Sequence, residues 1–139
     1  MTTNNNVSTR QLVKASLAVL VAFLIADGIW LGLVMPDTYR AWLGGHMLDM
    51  PRLAPAGIFY VLYTVGVMVF AVLPALRAGT LSKAAQLGAL LGLVAYGTYD
   101  LSNYATLDFW QLPMTVVDIV WGAVLSCIAA SAGYLAARR

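Results

Sequence analysis

The strongest constraint on this chain is the way its apolar residues are punctuated. They run in four long stretches, about 12–35, 56–76, 84–107 and 113–137, with prolines, the Gly44–Gly45 pair and most charges between or at the ends of them. A helix needs about 20 apolar residues to cross the hydrocarbon core of a bilayer. In lipid the backbone must satisfy its own hydrogen bonds, so stretches of this length read as helices. Hydrophobic residues make up 61% of the chain and charged residues 10%, against roughly 25% charged in a soluble domain, and mean hydropathy is +0.81. The expected fold is all-α: an integral membrane four-helix bundle, with residues 1–139 as a single four-span domain.

The loops carry the remaining signals. Met1–Thr9 is polar and reads as a frayed end. Arg10 and Lys14 before an apolar run imitate a secretory leader, but the run is too long, carries Asp27 and lacks a small-residue cleavage site, so it reads as a retained first span. Pro36 ends that span, and Asp37 is expected to cap a short interfacial helix through Leu43, with Tyr39 and Trp42 at headgroup depth. Gly44–Gly45 would stop it. Near the end of the second span Pro74 is expected to kink the helix at little cost.

Arg10, Lys14, Arg77, Lys83, Arg138 and Arg139 fall on one side of such a bundle and only Arg40 and Arg52 on the other. Lys and Arg are retained in cytoplasmic loops, so both termini are expected in the cytoplasm, in a bacterial inner membrane, with the first loop outside. No basic stripe of the nucleic-acid type is present. The one cysteine, Cys127, lies in an apolar run and reads as a packing residue.

Against this background the run Tyr96–Asn103 stands out, because it places Asp100, Asn103, hydroxyls and phenols inside the third apolar stretch. Asp27 lies nine residues before Pro36, Asp100 eight before Asp108, and Asp118 five after Pro113, which puts three carboxylates in the same outer leaflet on three helices. Each costs about 2.5–3.5 kcal/mol at the centre of a span, and less nearer the interface. No Lys or Arg lies in the spans to neutralise them. Protonation, hydrogen bonds to Tyr, Trp and Asn, a bound cation, or Arg40 or Arg52 folding in from the loop must compensate.

Helical spacing links these residues to packing. Gly88, Gly92, Tyr96 and Asp100 recur every four positions, so a small-residue groove and the polar run share one stripe. Asp27 precedes Trp30 by three, and Asp118 precedes Trp121 by three, so the first and fourth spans both carry D-x-x-W.

The runs Asp27-Gly28-Ile29-Trp30-Leu31-Gly32-Leu33, Gly92 through Leu107, and Val117-Asp118-Ile119-Val120-Trp121-Gly122 resemble those of a family of small predicted bacterial membrane proteins catalogued as domain of unknown function 2177. The resemblance extends from Leu12 to about Ala136. It implies a four-helix integral membrane protein and carries no catalytic assignment.

Three functional readings follow. In the first, Asp27, Asp100, Asn103 and Asp118 line an outward-facing cavity walled by Trp30, Tyr63, Tyr96, Tyr99 and Trp121, with Arg40 and His46 as a lid, and it binds a small cation, a polar ligand or a lipid headgroup. In the second, an aspartate acts as general acid in an enzyme that modifies a lipid or isoprenoid within the membrane. In the third, the protein is an accessory subunit whose Gly28/Gly32 and Gly88/Gly92 faces dock a second copy or a partner. The bilayer is the one partner common to all three. The sequence assigns no catalytic residue, metal or cofactor.

Overall fold

A computed structural model describes residues 6–139, and among these every regular element is helical. Helix α1 spans Thr9–Ile29 and continues as a wide π-helical turn, Trp30–Val34. Ser8 and Gln11 form a reciprocal capping box at its start. Of the polar stretch expected to fray, residues 1–5 lie outside the described residues. Helix α2 is Pro36–Leu43, followed by a 3₁₀ turn at Gly44–His46. Helix α3 (Leu53–Val67), a second π-turn (Met68–Val72) and α4 (Leu73–Ala78) form one rod. Helices α5 and α6 are Leu81–Thr106 and Leu112–Ala137.

Both π-turns end two residues before a proline, Pro36 and Pro74. Proline has no N–H to donate, and its ring crowds the carbonyl four residues back, so the preceding turn widens. Pro74 therefore does not break its rod; the bulge absorbs the misfit. The expectation that Asp37 caps α2 is corrected: Met35 occupies the cap position with no side-chain bond, and Pro36, with no amide hydrogen to satisfy, is the first helical residue. Gly44 does stop α2, at a positive φ of 54° that glycine tolerates.

Three stretches are long and apolar enough to cross a membrane: Thr9–Val34, Leu53–Ala78 and Leu112–Ala137. Helix α5 matches them in length at 26 residues, but the Tyr96–Asn103 run dilutes its hydropathy. The expected boundaries fall within about three residues of those observed, because the polar first turns of the helices escape an apolar reading.

Helix α6 lies between α5 and α1 and packs along both. Its partners meet it through small residues. A methyl group added to Gly92 would collide with the backbone of Gly122, and one added to Gly88 would lie 2.5 Å from the carbonyl oxygen of Ser126. At Gly133 it would lie 2.6 Å from Val19 Cγ2. Ala15, Val19 and Phe23 of α1, Val67, Ala71 and Val72 of the second rod, and Leu125, Ala129 and Ala130 of α6 complete a closely packed core. The Gly88/Gly92 face is thus consumed inside the chain, and the expectation that it docks a partner is corrected. Gly28 and Gly32, in contrast, have open space beside them.

Candidate functional site

Helices α1 and α6 are antiparallel. Gln11, near the start of α1, donates from Nε2 to the carbonyl of Ala137 at the end of α6 (3.1 Å). At the opposite end the two D-x-x-W motifs face each other. The indole rings of Trp30 and Trp121 stack with centroids 4.3 Å apart and planes 6° from parallel, an arrangement worth about 0.5–1.5 kcal/mol beyond the area it buries. The Trp121 Nε1–H donates to Asp27 Oδ1 (3.3 Å), and the Tyr60 hydroxyl donates to Asp27 Oδ2 (2.8 Å). In return, the Trp30 Nε1–H donates to the Tyr39 hydroxyl (3.0 Å), which donates to Asp118. Each tryptophan thus serves the carboxylate of the other motif, Trp121 directly and Trp30 through Tyr39.

Tyr39 is the link that a sequence reading assigns elsewhere. Instead of standing at the headgroups, it is 8% exposed, held over the end of α1 by the helix that Pro36 starts. Burial raises the pKa of its hydroxyl well above the ordinary value, and the bond to Asp118 adds to this against the opposing pull of the Trp30 N–H. The phenol stays a donor throughout the physiological range. A signal for it exists: Tyr39 and Leu43 are four apart on one face of α2, and both face the same recess.

That recess has a volume of about 570 Å³, within the roughly 300–1,000 Å³ of small-molecule sites. Of the residues expected to line or wall it, Asp27, Asp118, Trp30, Tyr63, Tyr96, Tyr99 and Trp121 do so. Tyr39, Leu43, Met47, Phe59, Trp110 and Met114 join them without having been singled out. Its lining is chiefly aromatic and aliphatic, with carboxylates at two points, rather than generally polar. Tyr63 exchanges a hydrogen bond with Ser126 (2.6 Å), and the Tyr96 ring lies where a side chain at position 122 would be, so Gly122 makes room for it. Beneath them Phe23 meets the rings of Tyr60 and Tyr63 at 5.3 and 5.1 Å.

The remaining expected residues lie elsewhere. Asp100 is 0% exposed and its carboxyl faces that of Asp118, within hydrogen-bond reach when one of the two carries a proton, and among the described residues no other partner reaches its oxygens. It sits behind the recess rather than in its lining. Asn103 is also absent from the lining. Arg40 reaches Asp49 at 3.9 Å on the exposed loop, and His46 stacks on Phe109 at 4.0 Å. Neither lines the recess, and among the described residues no guanidinium pairs with Asp27, Asp100 or Asp118.

The polar run of α5 therefore divides between two faces. On the exposed face Thr98, Ser102 and Thr106 donate to the carbonyls of Val94, Thr98 and Ser102 at 2.7, 2.6 and 2.8 Å. Hydroxyls satisfied on their own helix can face lipid at little cost. On the buried face Asp100 has no such outlet.

A family model described as "Predicted membrane protein (DUF2177)" matches residues 12–135. No curated protein and no solved structure matches the chain.

Proposed function

We propose, from the premise that the chain belongs to the family of predicted membrane proteins DUF2177, that it is a four-span inner-membrane protein whose outer recess binds a small organic cation. In this reading α5 is the remaining span, and both termini are cytoplasmic. Six of the eight basic residues gather at the end where α1 begins and α6 finishes. The recess then opens toward the outer face, between α2 and the ends of the spans.

One observation carries the proposal: two carboxylates and a ring of aromatic faces converge on a recess whose lining includes no Lys or Arg. An ammonium over Trp, Tyr or Phe gains about 0.5–1 kcal/mol at exposed sites and about 2 or more when desolvated. Carboxylates in a low-dielectric surround strengthen that attraction well beyond its value in water. The aromatic surface suits an apolar body attached to the charge, as an inorganic ion would leave most of it unused.

Thermal unfolding of the purified protein with benzyltrimethylammonium, and with its uncharged carbon isostere, tests this. Binding to the folded state alone stabilises it by about 2.7 kcal/mol at one hundred times the dissociation constant. The cation is expected to raise the melting temperature saturably, and Asp118→Asn to abolish most of the rise. Equal responses to the cation and the isostere would refute the proposal.

A further inference from the structure

A second recess lies at the other end of the molecule, where α1 begins, α4 turns into α5 and α6 finishes. Its volume is about 560 Å³, and its walls include Arg77, Arg138, Gln11, Tyr134 and Leu76. Two guanidiniums from distant parts of the chain thus share one concavity with an amide, a phenol and an apolar flank. Neither Arg77 nor Arg138 has a carboxylate partner among the described residues. The reason lies in the sequence: the six acidic residues are Asp27, Asp37, Asp49, Asp100, Asp108 and Asp118, all in the opposite half or its loops. This end carries six basic side chains and no acidic one.

The shape is held rather than incidental. Gln11 caps α1 with Ser8 and at the same time donates to the carbonyl of Ala137, which ties the start of α1 to the end of α6. Gly79, at a φ of 70°, turns the chain sharply after Arg77, and its amide bonds back to Ala75 (2.8 Å). Tyr134 is 5% exposed and packs with Ala75 and Ala84. The recess also lies where the spans end, at the depth of phospholipid headgroups.

We infer that this recess binds the phosphate of an anionic phospholipid headgroup, with Arg77 and Arg138 as its two cationic contacts and Leu76 against the glycerol and upper acyl chain. Guanidinium matches a phosphate oxygen pair with two parallel N–H donors. Basic pockets between spans on the cytoplasmic side are where anionic headgroups dock. The inference is independent of the cation site, since the two recesses share no residue.

Native mass spectrometry of the purified full chain, supplied with phosphatidylglycerol or phosphatidylcholine of equal chain length, tests it. Wild type is expected to retain one phosphatidylglycerol and to release phosphatidylcholine. Arg77→Gln with Arg138→Gln, which removes the charge and keeps a polar side chain, should lower phosphatidylglycerol occupancy at least ten-fold. Lys83→Gln with Arg139→Gln removes the same charge from the same end outside the recess and should change it less than two-fold. Equal losses in the two double variants would show a diffuse surface field and overturn the site. Retention of phosphatidylcholine as strongly as phosphatidylglycerol would overturn the charge selectivity. Displacement by glycerol phosphate at equal concentration would overturn the lipid as the source of the phosphate. A glutamine pair that melts far below wild type is compared with Arg77→Lys/Arg138→Lys; loss of lipid selectivity with the lysine pair folded supports the guanidinium contacts, and full retention overturns them.

Discussion

The two halves of the helical bundle solve the same problem in opposite ways. Toward the basic end Gly88 and Gly92 bring the backbones of α5 and α6 close against Ser126, Gly122 and Ala130, and no gap remains. Toward the acidic end bulky rings and carboxylates from α1, α2, α3, α5 and α6 surround an unfilled space, the aromatic recess. Lipid offers no hydrophobic drive for helices to associate, so close packing and hydrogen bonds must supply it. The first half uses packing; the second relies on the linked bonds of Trp30, Tyr39, Asp118, Asp27, Tyr60 and Trp121. A recess left unfilled forgoes the contacts that close packing would supply, and a region kept open despite that loss points to use.

The largest effect is expected where packing is tightest. Gly92→Leu drives a side chain into the Gly122 backbone and should cost about 3 kcal/mol or more, with the protein failing to melt cooperatively in detergent. Next comes the half around the recess. Tyr39→Phe leaves Asp118 without its donor and the Trp30 N–H without its acceptor, and should cost about 1–3 kcal/mol by thermal unfolding. A Tyr39→Phe protein as stable as wild type would mean that this half is not held by its bonds, and the contrast would fall. A smaller change of opposite sign is expected from Asp100→Leu. Apart from Asp118, nothing bonds the buried oxygens of Asp100, so an apolar side chain of similar volume should stabilise by about 1 kcal/mol while weakening cation binding at the Asp118 carboxylate it neighbours. Stabilisation with unaltered binding would make Asp100 a bystander. The smallest effect belongs to the outer face of α5, where Ser102→Ala removes only a local bond and should stay within about 0.5 kcal/mol.

The helices were legible because lipid imposes one length and one backbone solution, so boundaries read from Pro, Gly and charge come within a turn of those found. The common depth of Asp27 and Asp118 was legible for the same reason, since counting residues along a helix measures height. The pairing of the two motifs was not, because which helices are neighbours depends on side-to-side packing that counting does not reveal. Tyr39 was missed because an aromatic residue after a span usually stands in the interfacial belt, and only the tight entry at Pro36 folds it inward. The π-turns were hidden in a different way. Proline near a helix end signals a break, and whether the preceding turn widens instead depends on the neighbours that hold the rod straight.

The most direct test of the cation reading is to locate a cation in the recess. Crystals of the protein grown with tetraethylarsonium, a heavy-atom analogue of a quaternary ammonium, can be measured at the arsenic edge. The account predicts one anomalous peak in the recess, within about 6 Å of the Trp121 or Tyr96 ring centroid and on the side of Asp118, and no such peak in Asp27→Asn/Asp118→Asn crystals. A recess occupied by an acyl chain, with the arsenic signal elsewhere or absent, would contradict it.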